Sequence, residues 1–112
     1  MSNEISRQQA LFEGMRDILI NNPDRIKDLN VSYGFDFTKD ESGKWFFKIA
    51  NGAVEIGEGE LDDLDCVIST KFSDYLDIST GKLNSTMAFM MGKLKFNDKK
   101  NVIGLLTKLF AA

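Results

Sequence analysis

A chain of 112 residues is long enough for one domain with a real core, and 43% apolar with 28% charged residues is the balance of a globular protein. The net charge of −3, without a basic stripe, argues against nucleic-acid binding, and the absence of histidine removes Ser-His and Cys-His nucleophiles and the commonest zinc ligand. Cys66 stands alone, so no internal disulfide forms. With a polar N-terminus and no apolar run of membrane-spanning length, a cytoplasmic protein is expected.

In chain order, EISRQQALFEGMRDILI predicts an amphipathic helix with Leu11, Phe12, Met15, Ile18 and Leu19 at helical spacing, Asn3 as its cap and Asn21-Asn22-Pro23 as its stop. A short helical turn follows around Arg25 to Leu29. From Val31 the period becomes two: Val31, Tyr33, Phe35 and Phe37 alternate with Ser32, Gly34, Asp36 and Thr38, a strand with one buried face. KDESGK is a hairpin loop and WFFKIAN the returning strand, with Trp45, Phe47 and Ile49 on one face. The side of Trp45 meets either a ligand or the first helix. Asn51-Gly52 is a strong hairpin signal leading into AVEIGEGE, and a fourth strand runs around Cys66 to Thr70.

The second half is helical. Ser69 or Thr70 can cap a helix that carries Phe72, Tyr75 and Leu76 on one face and stops at Gly81. NSTMAFMM predicts a short helix ended by Gly92, KLKFN a fifth strand, and Asp98 the cap of a last helix with Val102, Leu105, Leu106 and Leu109 on its apolar side. These elements give an α+β fold: a five-stranded, mostly antiparallel sheet with helices packed on one face, spanning 1–112 as a single domain.

Few motifs carry chemistry. Gly57-Glu58-Gly59 lacks the rest of a dinucleotide fingerprint. Gly81-Lys82 and Gly92-Lys93 lack the Ser or Thr and the earlier glycine of a phosphate loop. The acids Glu55, Glu58, Glu60, Asp62, Asp63 and Asp65 lack calcium-loop spacing. No metal, nucleotide or other cofactor is expected, and sequence cannot place any two of these acids at a working separation for acid-base chemistry.

The methionines stand out. Met87, Met90 and Met91 share one side of the short helix and Phe89 points opposite, so the helix should be sandwiched between apolar surfaces. Flexible thioethers suit an adaptable ligand wall, but a Met and Phe stripe is more often plain core.

The ordered set Gly81-Lys82-Leu83, Ala88-Phe89, Gly92-Lys93-Leu94-Lys95-Phe96 and Asn97-Asp98 resembles the sterol carrier protein type 2 family of lipid carriers, with Asn97 where the family has glycine. The resemblance implies an apolar tunnel between the sheet and the later helices, holding a fatty acid, acyl-CoA or sterol-like molecule without catalysis. Met87, Met90, Met91, Val102, Leu105, Leu106 and Leu109 are then the expected lipid-binding wall. Phe72, Tyr75 and Leu76 are expected to belong more to the core. Lys82 and Lys93 serve either the helix C-termini or an anionic head group or membrane surface. The alternative is the same fold with a filled core, an interaction or accessory module of a lipid-metabolising enzyme.

Overall fold

The computed structural model describes residues 6–59 and 63–110. Asn3, Glu60 and Asp62 of the sequence expectations lie outside them. Helix α1 runs Arg7–Ile20 and begins on Ser6, whose hydroxyl accepts from the Gln9 amide, a cap of about 1 kcal/mol. Strands β1 (Val31–Asp36), β2 (Lys44–Ala50), β3 (Ala53–Glu58) and β4 (Cys66–Thr70) follow. Helices α2 (Phe72–Ser79) and α3 (Ser85–Met90), strand β5 (Leu94–Asp98) and helix α4 (Ile103–Leu109) complete the order. The β2–β3 turn has Asn51 and Gly52 both at positive φ, 55° and 77°, the conformation that an Asn-Gly pair accepts at low cost.

The sheet order is β3-β2-β1-β4-β5, with β1 and β4 parallel and every other pairing antiparallel. Register places Tyr33 beside Phe47 and Cys66, and Phe35 beside Trp45 and Ile68. Their side chains share one face, and all four helices deliver aromatic rings to that face. Phe12 of α1 meets Phe35 edge-on at 5.2 Å and stacks on Trp45 at 5.5 Å. Phe72 and Tyr75 of α2 meet Phe37 and Phe35, Phe89 of α3 meets Phe96, and Phe110 after α4 meets Phe47. Each such pair is worth about 0.5–1.5 kcal/mol beyond its buried area.

The opposite face carries no helix, yet β1 is closed on both sides. Leu64 folds over Gly34, where an added Cβ would lie 2.5 Å from the Leu64 Cδ1. Ser32 and Asp65 exchange two hydrogen bonds, amide to carboxylate and amide to hydroxyl, each 3.0 Å. That exchange ties the crossover segment to β1 and helps hold the parallel pairing.

Local details depart from the sequence reading. Lys71, not Ser69 or Thr70, is the residue before α2; the buried Thr70 hydroxyl instead donates to the Lys93 carbonyl at 2.7 Å. Asn84 caps α3 by accepting from the Thr86 and Met87 amides. Val102, not Asp98, is the residue before the last helix; Asp98 caps it from β5, one oxygen accepting from the Val102 amide at 2.7 Å and the other from Ile103 at 2.9 Å.

Candidate functional site

The four helices do not fill the space above the β4–β5 side of the sheet. They leave a cavity of about 980 Å³, whose floor is Ile68, Leu94 and Phe96. Leu11, Met15 and Ile18 of α1 form one wall, Tyr75 and Ile78 of α2 a second, and Ile103, Leu106 and Phe110 a third. Apart from Tyr75 on the α2 wall, the polar side chains of the lining are Ser79 and the Asn84-Ser85-Thr86 start of α3. These residues are also solvent-exposed, so the cavity opens there.

Local sequence explains the void. Ala10 and Gly14, one turn apart on α1, line the cavity with little or no side chain, and an added Cβ at Gly14 would meet nothing within 4 Å. Across the cavity α4 is fixed at both ends. The Tyr33 hydroxyl donates to the Val102 carbonyl at 2.6 Å, the Asp98 carboxylate holds the first amides, and Arg25 donates to the Leu109 carbonyl at 3.0 Å. An apolar helix anchored by its termini can stand over an empty space without relying wholly on side-chain contact below it.

The expected wall residues separate. Leu106 lines the cavity, half-buried. Leu109 lies in the core at 2% exposure, while Val102 and Leu105 pack against that core outside the lining. Met87, Met90 and Met91 lie outside the cavity and face solvent, Met90 being 79% exposed. The helix α3 is not sandwiched: it buries only Ala88 and rests Phe89 on Phe96. Phe72 is core, Leu76 packs against it, and Tyr75 reaches the cavity. The lining residues of α1 and β5 were missed as a wall. Their one signal was the Ala10/Gly14 spacing beside an apolar stripe.

The cavity lining holds no charged side chain among the described residues, and Cys66 and Tyr33 lie in the core beside it. Burial, reinforced by the nearby Asp98 and Asp65 charges, pushes the Cys66 thiol up to about 12, so it is no thiolate nucleophile near neutral pH. Burial likewise raises the Tyr33 and Tyr75 hydroxyls, keeping them neutral. Among the described residues no three His, Cys, Asp or Glu side chains gather as a metal site, and no helix is long and apolar enough to cross a membrane.

Comparison with known proteins decides the family. The model of the SCP-2 sterol transfer family matches residues 12–98, most of the chain. The chain belongs to that family. It is 36% identical over 109 residues to hydroxysteroid dehydrogenase-like protein 2 of Xenopus tropicalis, a match covering 96% of this chain and 25% of that protein. The SCP-2 chain thus spans about a quarter of the length of such curated relatives. Its fold matches the solution structure of sterol carrier protein domain 2 of Helicoverpa armigera with a TM-score of 0.75 at 22% identity, over 89% of this chain and 82% of that one. It also matches palmitated SCP2L2 of Aedes aegypti with a TM-score of 0.67 at 15% identity, over 91% and 92%.

Proposed function

We propose that this SCP-2 family chain binds an apolar chain molecule non-covalently in the cavity between α1, α2, α4 and the β4–β5 side of the sheet. A fatty acid, an acyl-CoA or a sterol-like molecule is the ligand class. The carrying observation is the cavity itself: about 980 Å³, apolar on floor and walls, is at the upper end of ordinary ligand pockets, which run about 300–1,000 Å³. That space favours a ligand over a filled module, since apolar walls otherwise close towards crystal-like density. The palmitated state of the Aedes aegypti neighbour is in keeping with an acyl chain. Leu106 is proposed as a wall residue, together with Leu11, Met15, Ile18, Leu94 and Phe96. Val102, Leu105 and Leu109 support the wall from behind.

The ligand's polar end belongs at the Ser79 and Asn84–Thr86 mouth, where hydroxyl and amide groups can replace water. The apolar end belongs over Ile68 and Phe96. No bond is made or broken in this scheme, so the domain holds or hands over its ligand rather than transforming it. The relatives named as dehydrogenase-like proteins, of which this chain covers a quarter, favour a second role alongside the first: a lipid-holding module that serves an enzyme.

Organic extraction of the purified protein followed by mass spectrometry tests the reading, with a fatty-acid titration of the delipidated protein alongside. Co-purified fatty acids or phospholipids and saturable one-to-one binding are expected. A lipid-free protein that also ignores added fatty acid and sterol would overturn it.

A further inference from the structure

Outside the cavity, the surface of α3 has no role in the reading above. Met87, Met90 and Met91 are 57%, 79% and 58% exposed, and Phe89 is 52% exposed at the cavity rim. Three large apolar side chains within five residues, Met87, Met90 and Met91, spaced three and four apart and facing water on one side of α3, make a patch of the kind that marks a contact surface. Its electrostatic setting is specific. Residues 1–79 carry 8 Lys and Arg against 16 Asp and Glu, while residues 80–112 carry 6 Lys against Asp98 alone. The chain as a whole is acidic at −3, yet the third bearing the patch is basic. Lys82 and Lys93 flank α3 on either side in sequence, both exposed and without an ion pair among the described residues.

We propose that α3 is a docking surface for an anionic lipid bilayer, its methionines entering the interface while Lys82 and Lys93 meet the head groups. Three observations fit this occupant better than a protein partner. Methionine side chains conform to a disordered acyl surface without a shaped counterpart. Lysines beside an apolar patch are the arrangement that anionic bilayers attract, each contributing about a fivefold gain in partitioning. The outer side of α3 carries the methionines while its inner side, through Ser85, Thr86 and Phe89, lines the mouth of the cavity. Docking on α3 therefore brings the opening to the bilayer, where an apolar molecule could pass without crossing water.

The test is co-sedimentation of the 112-residue chain with vesicles of phosphatidylcholine alone and of phosphatidylcholine with 30% phosphatidylglycerol. Binding to the anionic vesicles, little to the neutral ones, and release at high salt are expected, since exposed charges are screened beyond about 10 Å at 0.1 M. Met90→Ser with Met91→Ser should weaken partitioning at least about tenfold. Lys82→Glu with Lys93→Glu should weaken it about fivefold or more per lysine. All four side chains are exposed, so urea midpoints should stay within error of wild type and report that the variants fold. No binding to anionic vesicles, or binding that both double variants retain, overturns the proposal. So does a dimer in sedimentation velocity that Met90→Ser with Met91→Ser disperses, because a second copy would then cover the patch. The proposal stands apart from cavity occupancy. Vesicle binding lost with fatty-acid binding intact overturns docking alone, and the converse overturns only the cavity reading.

Discussion

Replacing Leu106 by alanine distinguishes a cavity wall from a core. Three carbons are removed, worth about 0.8 kcal/mol each when fully buried. Leu106 is half-buried and faces a space that already exists, so about half of that, ~1.2 kcal/mol, is expected to be lost. The term for opening a new void nearly vanishes, because the alanine only enlarges the open cavity. Leu109 is the internal control. One turn on, at 2% exposure and outside the lining, its alanine variant opens a sealed void and should cost about 3–5 kcal/mol. With a urea m-value of about 1–3 kcal/mol/M, Leu106→Ala should move the midpoint by roughly 0.4–1.2 M and Leu109→Ala several-fold further. In the same samples, affinities for a series of fatty acids should shift with Leu106→Ala towards longer or bulkier chains. Equal stability losses at the two leucines, together with an unchanged chain-length preference, would refute the placement of Leu106 on the wall.

Three further outcomes follow from particular contacts. Burial pushes the Asp98 carboxyl up, but the Val102 and Ile103 amides outweigh it and hold the group below the usual carboxylate range. Its stabilisation is thus complete above about pH 4 and is lost as pH falls through the lowered value. Asp98→Ala should cost about 1–2 kcal/mol at pH 7 in denaturant melts, a gap that closes in acid; a gap unchanged at pH 2 would exclude the capping role. Trp45 stacks on Phe12, donates to the Ser42 carbonyl at 2.9 Å and is absent from the cavity lining, so its emission should stay flat during a saturable fatty-acid titration. A shift that tracks occupancy would show that the cavity extends past Phe12 to Trp45. Gly57→Ala would set a Cβ 2.8 Å from the Phe46 ring on the helix-free face, and a loss of about 1–3 kcal/mol in the thermal or urea midpoint is expected, where no loss would mean the ring swings freely.

Much of this protein is local and therefore legible from residue order. The two-residue period from Val31 to Phe37 and from Trp45 to Ile49 reflects a pleated backbone, and it places the same side chains on the helix-covered face in the sheet. Asn51-Gly52 makes its turn because those two residues tolerate positive φ, and Asp98 caps α4 because its carboxylate lies within reach of amides four and five residues ahead. The five strands and the four main helices follow from such patterns, and the family from a resemblance carried by the ordered motifs between Gly81 and Asp98. The parallel β1–β4 pairing does not, since it depends on a crossover fastened by Ser32 and Asp65, 33 residues apart. Nor does the orientation of α3. In a helix of six residues an apolar residue lies on nearly every side, so periodicity cannot tell which side meets the sheet. Only assembly shows that Ala88 does, leaving the methionines in water. The cavity was the least legible feature, because it is made of what Ala10 and Gly14 lack and of how α4 is held from Tyr33, Asp98 and Arg25. A pattern of apolar residues records which side chains leave water; whether they close on one another or around a space is set by distances that only the packed chain possesses.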